Sequence, residues 1–520
     1  MSRTSLSSKH GRSRRLVTVH KPHGVLHPRV ERVGPEHFGV VSIDCAKHRS
    51  KWMLCDFYGN VLAPPTELPH SQGHFDMAIV QLRASLAEHA LQDVVVAIER
   101  TGDYHLPVKR AFADAGFETR IVHPFATKQF RQPANPGIKT DDNDLAAIFR
   151  ATINGFGLLE PPCDSTAKQL RLLVRHRRDL VQKRSAVCCQ LHERWQATLP
   201  GFAACFVDLW TAPLALCVAR HFASPQAVLN AQTAGLAAVV HQAGHPCRSR
   251  SLERILAWSQ TAPKPDPEFL THHQIATTLD DDRTAKARQI TGLERQLVGL
   301  LVQTPYVLLL SIPGINVVSA AEFAGEMGPI AHYANAKAIT GRAGLFPARY
   351  QSDQVDLKDG ALIRCANRSL RAAIMMVADN LVKCNAYFRA KAEVWTALKR
   401  DPRHVRVQVA SRFCRIAYLM VAGGQVFRHP CCQKRDYILD KLVAFHRDHA
   451  ISSVETLHNL QSAVGQLPKS EHAVEAAPLT AAWLAARAKN HRGPQPIGDV
   501  LLAVLAKLGA SPLQSNVSGD

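Results

Sequence analysis

Acidic residues are in the minority in this 520-residue sequence: 43 Asp and Glu stand against 63 Lys and Arg, for a net charge of +20. That imbalance disfavours a small neutral substrate and favours a polyanion, most simply DNA or RNA. Aromatic residues are also scarce, at 6%, so there is little sign of a base-stacking surface. The 13 cysteines contain no CxxC pair and keep no regular spacing. The basic start, MSRTSLSSKHGRSRRLVTVH, lacks the apolar centre of a secretory signal, so a reduced, cytoplasmic setting is expected. No uninterrupted apolar run crosses a membrane: the uncharged stretch Leu297 to Ala321 is broken by Gln303, Pro305, Pro313, Gly314 and Asn316 and reads as two helical pieces around a turn.

What is present reads as several domains, because a single core stops growing well below this length. Residues 1–35 form a basic arm, read either as a phosphate-backbone binder or as a solvated tail. From 36 to 160 the pattern predicts strands at 38–44 and 51–57, a turn at Tyr58-Gly59-Asn60 into a third strand, and a helix in which Met77, Val80, Leu82, Leu86 and Leu91 keep near-helical spacing. DVVVAIER then reads as a fully buried strand, followed by a helix over 105–115, a stop at Gly116 and the strand ETRIVHP. Strand hairpins followed by alternating helix and strand imply a mixed α/β sheet. Residues 161–305 hold two long helices. The first places Leu170, Val174, Leu180, Val181, Val187, Leu191 and Trp195 on one stripe, and the second, 284–301, aligns Ile290, Leu293, Leu297 and Leu300. They suit an antiparallel coiled-coil arm, a dimerisation helix pair or ordinary core packing. The insert at 200–280 shows only short apolar runs and loop signals. Residues 306–430 form a mostly helical domain, and 431–520 an Ala-rich appendage.

The chemistry concentrates in four acids. Asp44 closes the first apolar strand, Glu99 closes VVVAIE, and Asp141 and Asp144 sit at i and i+3 on one face of the helix that opens at IKTDDNDLAA. Asp142 points about 100° away from them. Converging carboxylates repel and are raised in pKa unless cations neutralise them, so hard divalent ions such as Mg²⁺ would explain the group. Two such ions could clamp a scissile phosphate. The alternative is that Asp44 and Glu99 are strand-end turn residues and that the acids at 141–144 answer the helix dipole.

Asp44 in VVSIDCAKH, Glu99 in VVVAIERTG, and Asp141 with Asp144 in KTDDNDLAA resemble the DEDD tetrad of the RuvC/RNase H-like domain in IS110/IS1111 family transposases, relatives of the Piv invertases. Leu145 stands where that family has alanine. Farther on, SIPGI, AGLFP, QS and NRSLRAA resemble the family's C-terminal transposase domain in order and spacing, which makes Ser352 the counterpart of its catalytic serine. On local sequence alone SIPGI could present backbone N–H groups to phosphate or simply join two packed helices. Asp353 follows the serine where the family usually has glycine, and Ala366 replaces a second glycine.

The resemblance implies an α/β plus α chain with a RuvC-like mixed-sheet domain, a coiled-coil region and a helical transposase domain. It further implies a DNA recombinase that uses Mg²⁺ or Mn²⁺ on Asp44, Glu99, Asp141 and Asp144, with Ser352 as nucleophile. A structured guide RNA, and a homodimer or homotetramer in which serine and acids meet from different protomers on DNA, follow from the same resemblance. The other readings are a RuvC-like nuclease that uses water, and an inactive copy that binds nucleic acid. His70 with His74, and His429 with Cys431 and Cys432, match no closed zinc spacing.

Overall fold

The computed structural model describes residues 24–134, 136–161, 164–353, 355–357, 360–429 and 438–468. Most of the basic arm, Cys431, Cys432 and residues 469–520 lie outside the described residues. The chain divides into two units, Met1–Pro162 and Cys163–Asp520.

The first unit is a six-stranded mixed sheet. Helix α1 (His27–Val33) precedes an antiparallel meander of β1 (Phe38–Cys45), β2 (Arg49–Asp56) and β3 (Val61–Pro69). Helix α2 (Gln72–Glu88) leads to β4 (Asp93–Glu99), α3 (His105–Asp114) to β5 (Glu118–Val122), and α4 (Pro124–Arg131) and α5 (Asp141–Ile153) to the short β6 (Gly157–Leu158). The strand order is β3-β2-β1-β4-β5-β6, with β1, β4 and β5 parallel to one another. Pro64, Pro65 and Pro69 are tolerated because β3 is an edge strand with one ladder to make. Period-two alternation divides the core. Val41, Ile43, Val94, Val96 and Ile98 pack towards α2 and α3, whereas Phe38, Val40, Val95 and Ala97 pack towards α1, α4 and α5. In α2 the buried face is Phe75, Ala78, Ile79 and Leu82. Met77 and Val80, expected inside, are exposed, because the i, i+3, i+4 set through Phe75 takes the sheet side.

The second unit is mostly helical. Helix α6 (Ser165–Thr198) is followed by α7 (Pro213–His221), α8 (Pro225–Gln242), α9 (Ser249–Thr261) and α10 (Phe269–Leu301). Helices α6 and α10 run antiparallel: Arg177 bonds Glu294 near one end, and Arg194 meets His272 near the other. The insert that read as loops is helical, and α7 to α9 close a core of their own around Val187, Leu191 and Trp195 of α6. Helix α11 (Val317–Met327), α12 (Ala336–Ala343), the hairpin β7 (Tyr350–Ser352) and β8 (Val355–Leu357), α13 (Arg368–Cys384), α14 (Ala386–Ala397) and α15 (Pro402–Gly423) complete the transposase-like part. Helices α16 (Ile438–Asp448) and α17 (Ser453–Gly465), from the segment set apart as an appendage, add Ile438, Leu439, Leu442 and Leu460 to the same core. This is the α/β plus α architecture expected from the sequence. Among the described residues, no helix is long and apolar enough to cross a membrane.

Candidate active site

Strand pairing brings the first two acids together. Ile43 pairs with Ile98 across the parallel β1–β4 ladder, so Asp44 and Glu99 are the next positions on neighbouring strands, which lie about 4.8 Å apart. Alternation turns both towards the face covered by α5. That helix starts at Asp141 because Thr140 is its N-cap, with Oγ1 accepting from the Asn143 N–H at 3.2 Å. Asp144 is 4% exposed, on the same side of α5 as the fully buried Leu145 and Ile148 that seat the helix on the sheet. Asp141 is exposed. The leucine that departs from the family's alanine therefore fills core space.

The electrostatics tie the acids to one another. Burial, then repulsion from Asp144 and Asp141, pushes Asp44 up to about 6, against a smaller pull from Lys139. Burial, then Asp44 and Asp144, pushes Glu99 up to about 7. Two of the remaining acids have cations: Arg131 forms an ion pair with Asp144, and Lys51 Nζ lies 2.5 Å from Asp142. Lys51 is the cross-strand partner of Asp44 in the β1–β2 ladder. Sequence reasoning placed Lys139 next to the acids but missed Arg131 and Lys51. Lys139 sits within the motif itself, but the other two depend on strand register and helix placement.

As the side chains stand, no three acids, histidines or cysteines among the described residues enclose a cation. The donor set is nonetheless all oxygen, and burial and mutual repulsion disfavour the charged forms of Asp44 and Glu99, a cost that a hard divalent ion would offset. The other histidine candidates have protein partners: His70 Nε2 meets Ser50 Oγ at 2.7 Å, His74 Nδ1 meets Ser71 Oγ at 2.6 Å, and His429 packs on Tyr387.

Ser352 belongs to the second unit. It is exposed at the end of β7 and pairs with Val355 of β8. Asp353 has φ +48°, in the left-handed region that favours glycine and that aspartate tolerates better than most residues. Arg349 braces the hairpin with a bidentate pair to Asp356, both contacts 2.9 Å. The NRSLR segment is structural. Asn367 caps α13 through the Leu370 N–H, Leu370 is fully buried, and Arg371 Nε donates to the Ala343 carbonyl at 2.7 Å. The Pro-Gly turn of SIPGI joins packed elements: Gly314 has φ +94°, a Cβ there would lie 3.1 Å from Cys384 Cβ, and Lys441 Nζ donates to the carbonyls of Leu310, Ile312 and Ile315.

Two family models match the chain. Residues 41–200 match the IS110-type DEDD transposase model, and residues 306–393 match the model for the transposase IS116/IS110/IS902 family. No curated protein matches the sequence. The first match spans all four acids and the second spans Ser352, in the order the motifs require, and the chain belongs to the IS110 family of transposases.

Proposed function

We propose that this transposase cuts and rejoins DNA with Ser352 as nucleophile and Asp44, Glu99, Asp141 and Asp144 as ligands of Mg²⁺ or Mn²⁺. The observation that carries the metal half is the raised, mutually repelling pair Asp44 and Glu99 at adjacent strand ends, facing Asp144. A bound divalent ion would supply Lewis-acid stabilisation of charge developing on the phosphate. Asp44 and Glu99 would hold it with oxygen donors from the sheet, together with Asp141 and Asp144, the last of which is paired with Arg131 here. Arg131, beside the acids, would supply a cation for a phosphate oxygen.

In the second half, the Ser352 oxygen bonds to phosphorus while one bond from phosphorus to a deoxyribose oxygen breaks. The serine proton ends on the departing sugar oxygen. The phosphoserine linkage keeps the bond energy, so attack by another sugar hydroxyl reseals the strand and frees the serine. Exposure of Ser352 on a braced hairpin supports this role. A structured guide RNA, and assembly of two or four copies in which acids of one copy meet the serine of another, complete the reading. Both rest on the family resemblance and accord with the net charge of +20.

Incubation with Mg²⁺, cognate DNA and flanking RNA tests it. A covalent protein–DNA adduct lost in both Ser352→Ala and Asp44→Ala is expected. Cleavage that survives Ser352→Ala transfers the chemistry to water at the acid site, and binding without either product marks an inactive copy. The carboxylate of Asp353 beside the serine is the observation that keeps those outcomes in play.

A further inference from the structure

A cleft of about 1040 Å³ opens in the second unit between the stem of the Ser352 hairpin and the start of α15. One wall is the hairpin stem, where Pro347 bridges Leu362 and Ala348 N–H donates to the Ala361 carbonyl at 2.8 Å. Gly360 belongs to that stem because a Cβ would lie 2.4 Å from the Ala348 carbonyl oxygen. The opposite wall is a helical stripe, His404, Val407, Gln408 and Ser411, at i, i+3, i+4 and i+7. The floor is apolar, formed by Leu345, Leu362, Met375 and Val407, and the rim is basic, formed by Arg400, Arg403, His404 and Arg406.

The rim charges differ in availability. Arg406 is committed to Asp379. Asp401, the acid lining the cleft, spends its carboxylate capping α15 through the Arg403 N–H at 2.7 Å and lies 3.7 Å from Arg403 Nε. The Arg403 side chain is still 93% exposed, and Arg400 is exposed beside it. Two guanidinium groups at the mouth of an apolar slot match the backbone and base of an unpaired nucleotide, with phosphate outside and ring inside. Ser352 lies five residues along the strand from Pro347, at most about 17 Å away, which is the length of about five stacked nucleotides.

We propose that this cleft seats an unpaired DNA strand next to the phosphate presented to Ser352, with Arg400 and Arg403 on its backbone. The proposal rests on the recombinase reading for the identity of the strand but not for its detection. Binding is therefore measured in full-length Ser352→Ala protein, which forms no adduct, while adduct formation by the wild type reports separately on the chemistry.

In that background, Arg400→Glu with Arg403→Glu is titrated with a fluorescent single-stranded DNA oligonucleotide across a salt series. Affinity falls by roughly tenfold or more, and the slope of log affinity against log salt becomes shallower by about 1.4, the share of two phosphate contacts. Lys391→Glu, an exposed reversal on α14, is compared with each single reversal, Arg400→Glu and Arg403→Glu, at equal net charge and leaves the slope nearly unchanged. As a second measurement, a photo-crosslinking thymidine analogue in the oligonucleotide marks peptides containing Leu362 or Met375. An unchanged slope in the double variant, equal losses in the Lys391 comparison, crosslinks confined to other peptides, or a loss seen with RNA and absent with DNA would each overturn the assignment.

Discussion

Asp44 and Glu99 are the residues whose ionisation the fold alters most plainly at the site. Both are raised in the folded chain, to about 6 and about 7, chiefly by burial and then by other acids. A raised carboxyl binds protons that the unfolded chain has already released, so its contribution favours folding below the ordinary carboxylate pKa and is lost as pH rises through the folded value. The metal-free protein is therefore expected to lose thermal stability from about pH 4 to about pH 7, with Asp44→Asn and Glu99→Gln each flattening the profile. Millimolar Mg²⁺ should restore wild-type stability at the upper end and leave the double variant unmoved. A profile identical in wild type and variants would remove the repulsion argument.

Asp353 carries a second residue-scale expectation. Its carboxylate follows the serine at φ +48°, so glycine relieves backbone strain and removes one negative charge near an incoming phosphate. At about 6 Å in a water-like dielectric that charge costs about 0.7 kcal/mol, so Asp353→Gly should speed adduct formation roughly threefold. The gain should fade in high salt. Loss of adduct in the glycine variant would instead make the carboxylate a working group.

Among the elements, α6 and α11 are locked by charge as well as by apolar contact. Glu326 is fully buried, and Arg175 meets it with two contacts of 2.9 Å while Asn367 donates at 3.2 Å. Burial alone would raise Glu326, but Arg175, Asn367 and Arg178 pull it below its usual value. Arg177 and Arg178 likewise serve Glu322, which is 3% exposed. These arginines of the basic helix are consequently taken up by buried acids of α11, although the Arg175 side chain itself stays half exposed. Arg175→Ala leaves the buried Glu326 carboxylate with only Asn367 and the charge of Arg178 and should cost about 2 kcal/mol in chemical denaturation, whereas replacing both partners by Met should cost much less. Equal losses in the two variants would show that packing, and not the charge, dominates.

The same elements show what a linear sequence carries. The α6 stripe was legible because its apolar residues keep helical spacing, and β1 and β4 because short Val- and Ile-rich apolar runs between loop signals suit buried strands. The first half of α10, THHQIATTLDDDR, was not. It is helical because Asp280, 4% exposed, is held by Arg220 and Arg283, and because His272 meets Arg194. Arg220 and Arg194 are distant in sequence, and only Arg283, three residues after Asp280, is local. In the site, the strand ends that bear Asp44 and Glu99 could be read from pattern, and helical spacing separated Asp142 from Asp141 and Asp144. That Lys51 takes Asp142 depended on hairpin register, and the left-handed turn at Asp353 left no trace in composition.

At the scale of the whole molecule, the acids lie in one unit and Ser352 in the other. The proposed assembly, in which acids of one copy serve the serine of another, makes a demand that a site closed within each copy does not. Asp44→Ala and Ser352→Ala are each inactive alone under either arrangement. Mixed on DNA, they form assemblies in which the serine of the Asp44→Ala copy faces the intact acids of the Ser352→Ala copy. If subunits assort at random into dimers, about half the dimers are mixed and each has one intact site of two, so adduct should return to about a quarter of the wild-type level. The recovered adduct should sit on the Asp44→Ala polypeptide, which a size tag on one partner distinguishes. No recovery, in a mixture shown by the tag to contain mixed assemblies, would mean that each copy completes its own site and would sink the shared arrangement while leaving serine chemistry intact.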